Sequence, residues 1–284
     1  MKKEQIESEI KLRIAPTSKE SLQEHLNSCN TLSTHFLGTN RLVNTYYDTP
    51  EGYLYGNNIA IRIRQKGSFS ELTLKTKISC ETSGIMQRRE WNIKHEDDPL
   101  TFSCFQKIPT IPVLVKDLLK KDKLRESFKN EFFRSNWLII HGETKVILSL
   151  DQGFFRKNNI RMEISEIELE LDSGNHEELL NISYLVADNL NCWLSFRSKL
   201  QSGMEIFRAT DLNPDDDLII PVELSDKLSF LSRYLDCSPG PAWDLASNIL
   251  NSFACPEAKQ FAGHINKHRT IPSGLGRWML YQKI

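Results

Sequence analysis

Apolar and polar residues alternate with a period of two along many short segments of the first 208 residues. This pattern is typical of strands that bury one face. It occurs over residues 5–14, 42–48, 58–65, 70–78, 87–95, 131–141, 144–151, 154–157, 161–171 and 197–207. Because only a few helical stretches interrupt these strands, we expect an α+β domain built on an antiparallel sheet.

Three stretches in this region show helical spacing instead. The first follows Pro16, where Thr17 and Glu20 have the spacing of a capping box and Leu22 and Leu26 lie four residues apart. The second covers about 112–127, and the third follows the Ser-Gly-Asn turn at 173–175. We therefore predict one helix at each place.

The composition changes at 210–217, where Asn, Pro and three consecutive Asp residues predict a linker. Beyond it, leucines at 224, 228, 231 and 235 recur at helical spacing, and further helices are expected near 243–253, 257–268 and 275–283. The predicted organisation is a strand-rich domain over 1–208 and a small helical appendage over 209–284.

Charged residues within the predicted strands share one parity, and side chains at positions i and i+2 point to the same face. In the first strand, Glu7, Glu9 and Lys11 lie opposite Ile10 and Leu12. The same division recurs in later strands for Arg62 and Arg64, Lys75 and Lys77, Arg88 and Glu90, and for Glu166, Glu168 and Glu170.

For any single strand, exposure of one sheet face to solvent would explain why its charged residues share that face. Repeated like charges on one face are destabilising, however, unless counter-charges lie nearby. A barrel with its charged faces inward and its apolar faces covered by helices would supply them. Its basic residues suit a small polyanion with several phosphates. Its carboxylates, with no His or Cys among them, suit Mg²⁺ or Mn²⁺.

The overall charge is nearly balanced, with 36 Lys and Arg against 37 Asp and Glu. This balance argues against a binder of nucleic acid or of anionic membranes, which usually carries a basic excess. The sequence has no apolar run of signal-peptide or membrane-helix length and no CxxC pair among its six cysteines. We therefore expect a cytoplasmic protein without nucleic-acid or membrane partners, and homodimer formation stays open.

A series of motifs follows the same order along about 205 residues. It begins with Glu7-Ser8-Glu9-Ile10-Lys11, which has the form ExExK, and continues at 44–50 (NTYYDTP), 60–64 (AIRIR), 71–76 (ELTLKT), 87–90 (QRRE), 133–134 (FR), 150–153 (LDQG), 166–171 (EIELEL) and 198–199 (SK). This series resembles the CYTH domain family, the triphosphate tunnel metalloenzymes. It is most similar to the bacterial inorganic triphosphatases of that family.

The resemblance implies an eight-stranded antiparallel β-barrel, a tunnel in which tripolyphosphate is hydrolysed to pyrophosphate and phosphate with Mg²⁺ or Mn²⁺. It implies that the metal is held by Glu7, Glu9, Asp151, Glu166 and Glu168. The implied substrate-binding residues are Lys11, Arg62, Arg64, Lys75, Glu90, Arg134 and Lys199. The implied catalytic residues are Glu7, Glu9, Lys11 and Glu168. Glu170, Lys77 and Arg88 share the inward parity, and their roles are left open.

Two other functions remain open from the sequence. One is an enzyme that acts on an organic triphosphate, as thiamine triphosphatases and class IV adenylate cyclases do. The other is a polyphosphate-binding module without catalysis, in which the helical tail contacts a partner. The retained carboxylates favour catalysis, because a pure anion binder gains nothing from groups that repel its ligand.

Overall fold

The structure is a computed structural model that describes residues 4–80, 84–95, 102–120, 124–208, 223–236 and 242–282. Its strands are β1 Gln5–Ile14, β2 Ser33–Asp48, β3 Ile59–Lys66, β4 Phe69–Cys80, β5 Met86–Lys94, β6 Arg125–His141, β7 Thr144–Lys157, β8 Ile160–Ser173 and β9 Cys192–Leu194. Its α-helices are α1 Lys19–Ser28, α2 Tyr53–Gly56, α3 Val113–Lys120, α4 His176–Ala187, α5 Lys199–Arg208, α6 Leu224–Leu235, α7 Trp243–Asn251, α8 Pro256–His268 and α9 Leu275–Tyr281. A short 3-10 helix covers Phe102–Lys107.

Strands β1 to β8 form a closed antiparallel barrel in the order β1-β5-β4-β3-β2-β6-β7-β8. Strand β1 closes the ring, since it pairs with β8 along one edge and with β5 along the first half of the other edge. Strand β9 pairs with the remainder of that edge, from Leu12 to Ile14. The predicted eight-stranded barrel with covering helices is confirmed.

The apolar faces of the strands point outward and are covered by helices. Ile10 and Leu12 of β1 lie in one core with Leu22 of α1 and Ile182 of α4. On the other side of the barrel, apolar residues of β3, β4 and β5 pack against the 3-10 helix and α3. The period-two alternation therefore leaves the charged face of each strand for the barrel interior.

One part of the interior is apolar and is filled by α5. Leu200 and Met204 of α5 pack against Phe128 and Phe132 of β6. A side chain at Gly203 would overlap the Phe128 ring, so only glycine lets the helix approach this closely. Helix α5 thus occupies this part of the barrel, and its first residue is Lys199.

The strand predicted over 197–207 is wrong, because α5 occupies this segment. Ser198 Oγ accepts from the backbone N–H of Gln201 at 3.1 Å, and Gln201 Oε1 accepts from that of Ser198 at 2.9 Å. This reciprocal capping box satisfies two amide groups at the helix start. The stretches at 144–151 and 154–157 form the single strand β7, and the helix predicted over 112–127 ends at Lys120.

The C-terminal helices pack onto the barrel domain through β9 and α4. Helix α9 contacts both, and a side chain at Gly276 of α9 would overlap Cys192 of β9. Leu228 of α6 and Leu275 of α9 belong to the same apolar core as β1. The predicted linker at 210–217 lies outside the described residues, and the boundary at 208/209 stays a prediction. Among the described helices, none has the length and apolar character to span a membrane.

Gly153 tests the packing between β6 and β7. A Cβ at this position would overlap the carbonyl oxygen of Glu131 and the backbone of Phe132, which cannot move without breaking the strand pairing. We predict that Gly153→Ala lowers the free energy of unfolding by about 2 kcal/mol or more, as overpacking does. Denaturant unfolding monitored by circular dichroism measures this change.

The matched control is Gly263→Ala in α8, where the added methyl group meets open space. It should raise stability by up to about 1 kcal/mol, because alanine has the higher helix propensity. Equal stabilities of the two variants would contradict the described packing.

Candidate functional site

The charged interior of the barrel surrounds one cavity of about 240 Å³. Ten of the predicted site residues line it: Glu7, Glu9, Lys11, Arg62, Arg64, Lys75, Glu90, Arg134, Glu168 and Lys199. They come from β1, β3, β4, β5, β6, β8 and the start of α5. Barrel closure therefore brings together side chains that are up to 192 positions apart in the sequence.

One ionic cluster in this interior joins three cations to three carboxylates: Lys11, Arg134, Lys199, Asp151, Glu166 and Glu168. Arg134 donates to both oxygens of Asp151, from Nε and from Nη2, at 2.6 Å each. Lys199 Nζ lies 2.6 Å from Asp151 Oδ2 and 2.8 Å from Glu168 Oε1. Lys11 Nζ lies 2.9 Å from the same oxygen of Glu168. The carboxylates thus hold the cations at fixed positions.

A second ionic cluster contains Arg62, Lys75, Arg88, Glu7, Glu9 and Glu90. Lys75 Nζ lies 2.6 Å from Glu7 Oε2 and 2.7 Å from Glu90 Oε2. The bond to Glu90 follows from strand register, because the two residues are direct partners on β4 and β5. Arg88 Nη1 donates to Glu9 Oε1 at 2.7 Å.

Arg64 differs from these cations in its surroundings. Its Nε donates to Asn44 Oδ1 at 2.8 Å, and Asn44 Nδ2 donates to Asn130 Oδ1 at 2.7 Å. Within the described part of the chain, no carboxylate oxygen lies within 4.0 Å of its guanidinium. Burial, together with the charges of Arg62 and Arg134, lowers the pKa of Arg64 to about 9. This position therefore carries positive charge that the protein itself does not pair.

Two carboxylates that contact cations, Glu168 and Glu90, stay ionised. Burial alone would raise the pKa of Glu168, but Lys11, Lys199 and Arg134 hold it well below its usual range. In the second cluster, Lys75 and Arg62 outweigh burial and lower the pKa of Glu90 to about 2. These groups are negatively charged across the neutral pH range.

Glu9 and Glu170 show the opposite behaviour. They are direct partners on β1 and β8. Burial, with Glu7 and Glu9 nearby, raises the pKa of Glu170 to about 7. Burial also raises the pKa of Glu9, and the charges of Glu168 and Glu7 contribute although Arg88 opposes them. Negative charge is therefore in excess around Glu7, Glu9 and Glu170.

This local excess fits a divalent cation, and the donor atoms are all carboxylate oxygens, which Mg²⁺ and Mn²⁺ prefer. A second group of carboxylates is also close enough to hold a metal ion, since the oxygens of Asp151, Glu166 and Glu168 lie within 4.8 Å of one another. Only Glu168 of these three lines the cavity, and Asp151 and Glu166 are 0% and 2% exposed. The predicted metal ligands thus divide into Glu7, Glu9 and Glu168 on the cavity wall and the buried pair Asp151 and Glu166, which contacts Lys199 behind it.

Four further residues belong to the site. Lys77, Arg88 and Glu170, which share the inward parity, all line the cavity. Asn44, which holds Arg64, begins the motif at 44–50, but the sequence assigns it no role in the site. It shares the parity of Tyr46, a residue of β2 that lines the cavity, so the parity rule could have found it.

The comparisons with known proteins agree with this geometry. The CYTH domain model matches residues 5–187. An inorganic triphosphatase from Haemophilus influenzae is 30% identical over 201 residues, which are 69% of this chain and 54% of that protein. The chain therefore spans about half the length of this curated relative.

Two solved structures are also similar. A candidate adenylyl cyclase from Hippeastrum with a dominant triphosphatase activity is 20% identical, with a TM-score of 0.48, over 69% of this chain and 94% of that chain. A candidate adenylate cyclase from Bacillus halodurans is 22% identical, with a TM-score of 0.37, over 63% of this chain and 90% of that chain. The CYTH model takes in well over half of the sequence and every barrel strand from β1 to β8. The chain belongs to the CYTH domain family.

Proposed function

We propose that the chain is a triphosphatase that hydrolyses inorganic tripolyphosphate to pyrophosphate and phosphate with Mg²⁺ or Mn²⁺. The observation that carries this proposal is the unpaired charge of Arg64 beside Arg62 and Arg134, because a chain of phosphates is the ligand that would neutralise it. The triphosphatase relative from Haemophilus influenzae supports the reaction class.

The size of the cavity favours a small substrate. Its volume of about 240 Å³ lies below the range of about 300–1,000 Å³ that is typical of pockets for drug-sized ligands. Its wall is mainly charged, and α5 fills the adjacent apolar part of the barrel. A linear inorganic anion suits this space better than a triphosphate with a nucleoside or thiamine group.

In the proposed reaction, Arg62, Arg64, Lys75, Arg134 and Lys199 bind the phosphate oxygens and fix the chain of phosphates in one orientation. Carboxylates preorganise Arg62, Lys75, Arg134 and Lys199, and Asn44 preorganises Arg64, so that little rearrangement is needed in the transition state. Glu7, Glu9 and Glu168, with Glu170 beside them, would hold a divalent cation, which would supply Lewis-acid stabilisation of the phosphoryl group. The barrel wall limits the access of bulk water.

A substrate panel tests this function. Phosphate release should be fastest with tripolyphosphate and Mg²⁺ or Mn²⁺, slower with thiamine triphosphate, ATP or pyrophosphate, and absent with EDTA. Faster release from thiamine triphosphate or ATP would favour the organic-triphosphate alternative. Binding of tripolyphosphate without any metal-dependent release would favour a non-catalytic module.

Glu168→Gln tests the role of the carboxylates. The substitution removes a proposed metal ligand that also holds Lys11 and Lys199. Because a bound metal contributes several kcal/mol to transition-state stabilisation, kcat should fall by about 100-fold or more. The matched control is Glu163→Gln, at an exposed position of the same strand, which should keep the wild-type kcat. Full activity of Glu168→Gln would show that the metal assignment is wrong.

Arg64→Met tests the unpaired cation through two measurements. Because its folded-state pKa is lowered, the charged form of Arg64 costs stability at neutral pH, and its removal should leave the melting temperature unchanged or higher. Binding of tripolyphosphate, measured by titration calorimetry, should weaken by about tenfold or more, as expected for loss of a charge-assisted bond.

The comparison variant is Arg134→Met, which removes the partner of two carboxylates. It should lower the melting temperature clearly, because the buried carboxylate of Asp151 would lose its bidentate partner and retain Lys199. If Arg64→Met lowered the melting temperature as much, then Arg64 would be a structural residue rather than a phosphate ligand.

A further inference from the structure

Lys199 reaches the cavity from the connection between β9 and α5, whereas the other predicted phosphate ligands lie on barrel strands. Strand β9 ends at Leu194, only five residues before it. The backbone N–H of Ser195 donates to the carbonyl oxygen of Lys11 at 2.9 Å, and the capping box of Ser198 then starts α5. The position of Lys199 therefore depends on how the chain leaves β9.

The carboxylate of Asp236 binds this connection from outside the barrel. Its Oδ1 accepts from Trp193 Nε1 at 2.7 Å, and its Oδ2 accepts from Ser195 Oγ at 2.7 Å. Both donors belong to buried residues, with Trp193 7% and Ser195 2% exposed. One carboxylate thus holds two alternate residues at the point where β9 ends.

Asp236 follows α6 directly and lies outside the range that the CYTH model matches. Because helix α6 contacts β9, the C-terminal helices place the carboxylate of Asp236 beside this strand. An ion pair between Arg277 Nη1 of α9 and Asp188 Oδ1, at 2.5 Å, also ties these helices to the barrel domain. Asp188 follows α4 and is not part of the connection to Lys199.

The bonds of Asp236 are of the strong kind, since a carboxylate accepts both of them. Their loss would leave a buried indole N–H and a buried hydroxyl without this acceptor, which is costly unless the connection moves toward water. Movement of the connection between β9 and α5 would displace Lys199 from Asp151 and Glu168, because its ammonium group contacts them at 2.6 and 2.8 Å.

We propose that Asp236 is a positioning residue that fixes the connection between β9 and α5 and thereby places Lys199 in the cavity. The C-terminal helices then set the affinity of the site for polyphosphate, and this consequence rests on the proposed function. The placement of Lys199 itself does not, and it can be measured without substrate.

The first test measures the reactivity of Lys199 toward an N-hydroxysuccinimide ester of acetate, followed by mass spectrometry of the full chain. Lys199 is buried in the wild type, with a side chain that is 5% exposed, and Lys75, which contacts Glu7 and Glu90 instead, serves as the internal reference at 14%. In Asp236→Ala the acetylation rate of Lys199 should rise by about tenfold, the factor expected for lost bonds to a charged group. The rate of Lys75 should not change.

The control is Asp188→Ala, which removes the other anchor of the C-terminal helices and should leave the Lys199 rate at the wild-type value. If Asp236→Ala does not fold, Asp236→Asn, in which the amide oxygen retains one acceptor, supplies the same comparison with a smaller rise. An unchanged Lys199 rate in the folded variant, or an equal rise in Asp188→Ala, would overturn the proposal.

The second test is kinetic. Asp236→Ala should raise the KM for tripolyphosphate by about tenfold with little change in kcat, because it acts through a phosphate ligand. In a Lys199→Ala background the same substitution should have no further effect on KM, whereas an additive effect would contradict the proposal. If the wild type releases no phosphate, the proposed function fails, and the acetylation result alone decides the role of Asp236.

Discussion

A closed barrel has a single interior, and every charge placed there must be neutralised there. Strand β1 imposes this condition, because its pairing with both β5 and β8 closes the ring around Lys11. A buried ion without a partner costs several kcal/mol, so cations and carboxylates have to alternate across the cavity. The contacts of Lys199 with Asp151 and Glu168 follow from this constraint.

The charges inside the barrel are not fully neutralised at two places, and these two places indicate which ligands the cavity binds. Positive charge is unpaired at Arg64, and negative charge is in excess around Glu9 and Glu170. If these charges served stability alone, the folded state would be more stable without the unpaired cation at Arg64 and without the excess carboxylates. An anion would neutralise Arg64, and a cation would neutralise the carboxylates around Glu9 and Glu170. A phosphate chain with a bound divalent metal would therefore neutralise both places together.

The barrel was predictable for two reasons. The alternation of residues along each strand places the charged residues on one face, and the motifs follow one another in the order that resembles the CYTH family. The failures have local causes. The segment at 197–207 alternates like a strand, but the capping box of Ser198 and Gln201 starts a helix there. The first half of β2 was missed because it is largely polar and contains a bulge near Gly38. Parity also does not show depth, so it could not separate Asp151, which contacts Lys199, from the carboxylates on the cavity wall.

Lys199 differs from the other predicted phosphate ligands, because strand pairing in the barrel does not fix its backbone. Arg62 and Lys75 lie on strands that pair on both edges, so ladder hydrogen bonds on both sides fix their backbones. Lys199 begins a helix after a three-residue strand that pairs on only one edge. Its carboxylate partners hold its ammonium group, and the capping box of Ser198 and Gln201 holds the start of its helix. In the proposed arrangement, Asp236, 37 residues further along the sequence, fixes the segment that leads into this helix. The helices beyond the CYTH match would then help to build the site.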